Sequence, residues 1–269
     1  MKKALIFILL VTLGFGYSCS SSDKYVLIET KYGNIKLKLY KETPEHEKNF
    51  IKLVKDGVYT DLLFHRVIAS FMIQGGDPQS KNAVAGQMLG SGDLGYTVPA
   101  EITPLYFHRK GVLAAARMGN DVNPERRSSA SQFYIVQGKV YTKEQLKAMQ
   151  DKRNDGKAAA IFRKLYGQSK DELEKMQQEG RQQDYNIRMV ELQEKAEAEA
   201  KLQADYIYSD KQIEAYTTVG GCPSLDNEYT VFGEVVEGLE VVDRIAAVAT
   251  DRADRPTDDI KFTIKMTKK

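Results

Sequence analysis

Phe64-His65-Arg66-Val67-Ile68-Ala69-Ser70-Phe71-Met72-Ile73-Gln74-Gly75-Gly76-Asp77 sets one arginine between two β-like runs, with an aromatic ring, a thioether and an amide close behind it. Leu62 to Ile68 and Phe71 to Gln74 read as consecutive strands, bounded by the turn residues Ala69 and Ser70 and by the Gly75-Gly76-Asp77 stop. Upstream, Val26 and Ile28 share one face of a period-two run. Ile35, Leu37 and Leu39 then alternate with Lys36, Lys38 and Tyr40 beyond Tyr32-Gly33-Asn34, which predicts a β-hairpin. Thr43 offers an N-cap before Pro44, Phe50, Leu53 and Val54 give an apolar helical face, and Gly57 stops it. Further strands are expected over Gly111 to Met118, Gln132 to Val136 and Thr230 to Val235, with a second helix over Val241 to Ala246. Ile260, Phe262, Ile264 and Met266 alternate inward as a closing barrel strand would. The sum is mainly antiparallel β.

The chain has 269 residues, 42% hydrophobic and 28% charged, enough for a sizeable core. Thirty-nine basic against 37 acidic residues leave a net charge of +2, which gives no electrostatic case for nucleic acid as a partner. At the N-terminus, Lys2 and Lys3 precede an apolar run from Ala4 to Leu13 and then Gly14, Gly16, Ser18 and Cys19, the layout of an export signal. The run falls short of the ~20 residues of a spanning helix. Residues 1–19 are therefore expected to form a signal peptide. Cys19 stands where bacterial lipoproteins carry their acylated cysteine, with 20–24 as a polar tether, although Gly16 and Tyr17 depart from the usual lipobox. The expectation is a protein exported and lipid-anchored at Cys19 to the cell envelope, in the periplasm or at the outer membrane. The alternative is cleavage and release into the periplasm. With Cys19 acylated, Cys222 is alone and no internal disulfide forms.

From Lys139 to Thr218 the composition turns to Lys, Glu, Gln and Ala without proline, and propensity favours an α-helical insertion over 139–218. Thr142 with Gln145, Ser169 with Glu172 and Ser209 with Gln212 fit capping boxes, so three or more helices are expected. Ile161, Phe162, Leu165 and Tyr166, Leu173 with Met176, and Ile187, Met189, Val190 and Leu192 supply apolar stripes. These pack on each other or on the β domain. A sharper reading makes them a surface for a protein partner or a cradle for unfolded chains, dispensable for chemistry on a short peptide.

Two later blocks, Ser131-Gln132-Phe133-Tyr134-Ile135 and Leu225-Asp226-Asn227-Glu228-Tyr229-Thr230-Val231-Phe232-Gly233, follow the opening stretch in an order that resembles the cyclophilin-type peptidyl-prolyl isomerases. The resemblance covers roughly Tyr25 to Gln137 and Gly220 to Lys269. It implies a closed eight-stranded antiparallel barrel capped by helices, formed by 25–138 and 219–269, and a cofactor-independent isomerase acting on proline-containing segments of exported proteins. An X-Pro bond turns slowly because twisting the amide loses resonance, with a barrier of ~18–20 kcal/mol. The twisted imide nitrogen regains a lone pair, so a fixed cation aimed at it favours the transition state over the planar ground state. Arg66 suits that role because its guanidinium stays charged. The resemblance makes Gln74 the residue that orients it, with Phe71 beside them. It gives Phe71, Met72, Tyr134 and Leu225 to the proline slot, Ala116, Arg117 and Met118 to an adjoining ledge, and Gln132 and Tyr229 to peptide contacts.

Some positions depart from the family pattern. Tyr134 stands in place of phenylalanine, Tyr229 in place of histidine, and Arg117 in place of asparagine, while the loop from Gly119 to Arg127 is longer. Ser224 replaces the tryptophan associated with cyclosporin, so weak inhibition by that drug is expected. The competing class is a non-catalytic chaperone or assembly factor that only binds chains, but a pure binder has no need of a positioned guanidinium.

Gly90-Ser91-Gly92-Asp93-Leu94-Gly95 fits G-x-G-x-x-G, yet no strand leads into it and Thr97-Val98-Pro99 follows where a helix should start, which excludes a dinucleotide site. His46, His65 and His108 lack ligand spacing, so no metal is implied, and His65 is expected to be a hydrogen-bonded core residue. No G-x-S-x-G elbow occurs and nothing in the sequence fixes a base beside a serine.

Overall fold

A computed structural model describes residues 23–269; the signal segment, Cys19 and most of the tether lie outside the described residues. The chain runs β1 (Lys24–Thr30), β2 (Gly33–Leu39), α1 (Pro44–Lys55), β3 (Leu62–Leu63), β4 (Arg66–Ile68), β5 (Met72–Gly75), β6 (Thr97–Val98), β7 (Val112–Ala115), β8 (Ser128–Ser129) and β9 (Phe133–Val136). Five helices follow, α2 (Lys143–Asp155), α3 (Lys157–Gln168), α4 (Lys170–Gln178), α5 (Gln182–Leu202) and α6 (Asp210–Thr218), before β10 (Val231–Glu237), α7 (Leu239–Ala246) and β11 (Lys261–Thr267).

Nine strands form one antiparallel sheet in the order β3-β11-β1-β2-β10-β7-β9-β5-β4, and β6 pairs with β8 separately. This corrects the expectation of a closed eight-stranded barrel, because the ladder is open between β3 and β4. Those two edges are pieces of one segment separated only by Phe64 and His65. Three residues span at most about 11 Å, so the sheet must curl to bring its ends together. It does not zip shut because the backbone there bonds elsewhere: Phe64 N–H donates to Ile260 O (3.0 Å) and Val67 N–H to Asp254 O (2.8 Å). The single run expected from Leu62 to Ile68 is thereby split in two.

Side-chain alternation gives the sheet two packed faces. Ile28, Ile35, Leu37, Ile73, Leu113, Ile135 and Phe262 fill the inner core with Phe50 and Leu53 of α1 and Val242 and Ile245 of α7. Met72, Ala114, Tyr134 and Val136 point the other way, into a second cluster with Val231 and Cys222. Phe133–Val136 is buried at every position because β9 is covered on both faces. Met266, expected inward, is exposed at the end of β11, and Tyr40, expected outward, is buried and stacked on Tyr106 with centroids 3.9 Å apart.

Thr43 precedes α1 but its hydroxyl donates to Tyr40 O, and the helix start is instead capped by the Glu101 carboxylate, which accepts from Glu45 N–H (3.0 Å) and His46 N–H (2.9 Å). In the insertion, the capping boxes at Thr142 and Ser209 form, whereas Ser169 makes no side-chain cap. Leu165, Leu173, Leu192 and Ala196 give α3, α4 and α5 a small core of their own, while Leu146 and Tyr216 of α2 and α6 pack with Tyr208 and, from the β domain, Phe107. Ile187 and Val190 remain exposed. The insertion leaves and returns at one point, where Lys139 and Gly221 exchange two backbone hydrogen bonds (3.2 and 3.0 Å).

Candidate active site

Register places the opening stretch. Arg66 pairs across the β4–β5 hairpin with Gln74, Ile68 with Met72, and Gln74 in turn with Tyr134 on β9. The three-residue loop between them needs one left-handed residue, supplied by Ser70 at φ 61°, and leaves Phe71 at the tip. Phe71 O accepts from both Gln137 and Gly138 N–H at 3.0 Å, which pins the tip beside β9. Arg66, Gln74, Met72 and Tyr134 thus project from one face of three neighbouring strands.

They line a cleft of about 440 Å³ with Phe71, with Ala116, Arg117 and Met118 on the segment after β7, and with Leu225 and Tyr229 before β10. The floor and one wall are rings and aliphatic groups; Tyr134 and Tyr229 meet edge to face with centroids 5.8 Å apart. The two arginines differ. The Arg117 side chain is only 4% exposed: its Nε donates to Glu228 O (2.9 Å), its terminal nitrogens reach Met118 O (2.9 Å), Asn120 Oδ1 (2.8 Å) and Glu228 (3.3 Å), and its guanidinium lies 4.5 Å over the Tyr229 ring. The Arg66 side chain is 42% exposed and, among the described residues, makes one long contact, Nε to Asp254 Oδ2 at 3.4 Å.

Two sequence expectations are corrected. Gln74 does not hold Arg66; its Nε2 donates to Gln132 Oε1 (3.1 Å), and Asp254 is the residue in contact with the guanidinium. Gln132 does not line the cleft. It lies behind it with its amide fully used, Nε2 donating to Gly90 O (3.0 Å) and Gly92 O (2.8 Å). Those glycines explain the G-x-G pattern. Their N–H groups wrap the buried Asp77 carboxylate, Gly90 takes φ +100°, and a Cβ at Gly92 would meet Asp77 Oδ1 at 2.0 Å. The loop is a rim built on Asp77 and Gln132, and its Leu89, Gly90 and Ser91 face the cleft.

His65 and Ala253 also border the cleft. His65 is 4% exposed and, among the described residues, neither ring nitrogen has a hydrogen-bond partner, contrary to expectation. Burial pulls its pKa down to about 4. Elsewhere, Ser128 Oγ lies 2.9 Å from His46 Nε2 and His46 Nδ1 lies 2.6 Å from Glu101, a serine–histidine–carboxylate arrangement the sequence did not suggest. Ser128 is 1% exposed and Glu101 is engaged at the α1 terminus, so these groups serve structure.

Residues 25–195 and 209–267 match the family described as cyclophilin type peptidyl-prolyl cis-trans isomerase/CLD, and the chain belongs to that family. A Staphylococcus epidermidis protein named among the peptidyl-prolyl cis-trans isomerases is 27% identical over 87% of each chain. A Streptococcus pyogenes protein named for combined phosphatase and peptidyl-prolyl cis-trans isomerase function is 28% identical, and Rhizopus delemar peptidyl-prolyl cis-trans isomerase-like 2 is 27% identical. These alignments take in 87% and 92% of this chain but only 37% and 30% of those longer relatives. Among solved structures, a Cryptosporidium parvum cyclophilin type peptidyl-prolyl cis-trans isomerase superposes with TM-score 0.53 at 21% identity, covering 92% of this chain and 99% of its own. The same parasite protein, solved in the presence of the dipeptide Ala-Pro, gives TM-score 0.51 at 20% identity, covering 91% and 99%.

Proposed function

We propose that this chain is a peptidyl-prolyl cis-trans isomerase that turns X-Pro bonds in exported proteins. The observation that carries the reading is the half-exposed Arg66 guanidinium at the mouth of a ring-lined slot formed by Phe71, Met72, Tyr134 and Leu225. A proline ring fits the slot by apolar burial in either isomer, and that binding is uniform along the rotation. Arg66 supplies the part that is not uniform. As conjugation breaks, the imide nitrogen gains a lone pair, and a cation that meets it lowers the barrier where the planar form gains little. Gln74, braced by Gln132, offers its remaining amide groups to the peptide backbone.

The export reading rests on Lys2, Lys3 and the apolar run that follows, and Cys19 is the proposed acylation site. Clients are then proline-containing segments of proteins that reach the cell envelope.

The test is isomerisation of a short X-Pro peptide by the purified protein, wild type beside Arg66→Ala. A catalysed rate lost in the variant is expected. A folded wild type with no rate above the uncatalysed background would sink the proposal.

A further inference from the structure

Asp226 follows Leu225, a residue of the cleft wall, and is itself buried, 1% exposed. Donors reach it from two directions. From the β domain come His108 N–H (2.8 Å) and His108 Nδ1 (3.2 Å). From the insertion come Tyr216 Oη (2.8 and 2.7 Å to the two oxygens) and Gln212 Nε2 (2.9 Å), and Arg153 of α2 donates to the Asp226 carbonyl (3.2 Å). A carboxylate only accepts, so His108 donates from Nδ1, and in the neutral ring Nε2 is the acceptor. Tyr134 Oη lies 3.0 Å from Nε2 and donates to it when the ring is neutral. The result is one connected chain of contacts, Tyr216 to Asp226 to His108 to Tyr134, that starts on α6 and ends on a ring of the proposed proline slot. All four residues are buried.

We infer that Asp226 is a positioning residue for the slot and that the helical insertion sets it. Tyr216 and Gln212 orient the carboxylate, the carboxylate fixes the His108 ring and its tautomer, and His108 holds Tyr134, while Leu225 is carried on the adjoining backbone. A buried network satisfied at every member specifies one arrangement; with a donor missing it does not. The insertion is thus joined to the chemistry of the cleft through a carboxylate rather than hung beside it.

The inference rests on the isomerase reading, and its signature differs from that of Arg66. The slot binds the ring in ground and twisted states alike, so loosening it should raise KM and leave kcat in place. The experiment measures both constants for a short X-Pro peptide with the full chain. Tyr216→Phe removes one hydroxyl donor and is expected to raise KM about fivefold with kcat within twofold. Gln212→Glu keeps an acceptor for the α6 cap but puts an anion where Asp226 now receives a donor, and should raise KM further. Tyr208→Phe is the control. Its ring lies in the same cluster, 6.1 Å from that of Tyr216, without a hydroxyl bond to Asp226, and wild-type constants are expected.

Wild-type KM in both Tyr216→Phe and Gln212→Glu overturns the inference, as does an equal rise in Tyr208→Phe. If Tyr216→Phe fails to fold, Gln212→Glu decides. A readout independent of turnover is the ¹⁵N signature of His108, one of three histidines. Protonation at Nδ1 is expected, and an unprotonated Nδ1 in the wild type overturns the inference even if the protein turns nothing over. A wild type with the expected tautomer but no turnover removes the isomerase reading instead.

Discussion

Two charged groups, Arg66 in the cleft lining and Asp226 next in sequence to the lining residue Leu225, are held in opposite ways. Arg66 sits on an edge strand, 42% exposed, with one 3.4 Å contact to an equally exposed Asp254. Asp226 is buried and ringed by His108, Tyr216 and Gln212. On the mechanism proposed above, the contrast separates two tasks. A slot that must fit one ring shape in both isomers is built rigidly, at the cost of ordering a buried polar network. A cation that must meet a lone pair present only midway through rotation keeps its hydrogen-bonding capacity unspent until the substrate supplies the acceptor.

The hardest way to break this comparison is Arg66→Ala. Removal of one preorganised donor aimed at developing charge typically costs roughly 10²–10³ in rate, and a loss of that order in kcat with little change in KM is expected. A kcat within threefold of wild type would mean the cation is not the catalytic group. On the other side, Asp226→Ala strips the acceptor from several buried donors at once. It should lower unfolding stability by about 3 kcal/mol, read from the denaturant midpoint at constant m. A loss under about 1 kcal/mol would show that the network contributes little. The same logic revises the expectation that 139–218 is dispensable, since its deletion removes Tyr216 and Gln212 together.

The legible part of the site was the part carried by alternation. Arg66, Gln74, Met72 and Tyr134 lie on three paired strands, and a period of two places them on one face once the register is known. What escaped was held by single polar residues in loops. Asp254 reaches Arg66 from 188 positions away in the chain, out of a turn whose backbone it shapes at φ 61°. No local pattern marks an acid for such a task. Asp226 belongs to the run Leu225 to Gly233, but its importance depends on Tyr216 and Gln212, which look like ordinary residues of a helical tract. The split of the strand at Phe64 and His65 was equally hidden, because an apolar run reads the same whether its backbone bonds to one neighbour or changes neighbours midway.

A pH experiment sharpens the comparison at a third residue, next to Arg66. His65 is buried with neither ring nitrogen in hydrogen-bonding geometry with a partner among the described residues, and its pKa falls to about 4, chiefly through burial, with Asp77 and the nearby Leu63 backbone opposing and Arg66 and Arg255 adding to the fall. The unfolded value is about 6.5, so between these limits the unfolded chain binds the extra proton. Stability from this group is present in full above about pH 6.5 and is lost as pH falls toward 4. Between pH 7 and 5 the loss should be about 2 kcal/mol. Burial lowers His46 in the same direction, so the comparison is between wild type and His65→Phe, whose stability should fall less over that range. Identical pH profiles would mean that His65 is hydrated or paired in solution.

The smallest effect is expected at Asp254, and it discriminates best between a held and a free cation. If the 3.4 Å contact orients Arg66 for catalysis, Asp254→Asn, which keeps the shape and removes the charge, should cost kcat heavily. If Arg66 finds its geometry on the substrate, the pair behaves as an exposed ion pair worth about 1 kcal/mol or less. The half-exposed side chains and the long contact favour the second case. The expected result is a kcat within about threefold of wild type, with whatever difference exists shrinking in added salt, because exposed charges are screened. A tenfold loss that persists at high salt would put Asp254 in the same structural role as Asp226, and the two charged groups would then be held alike.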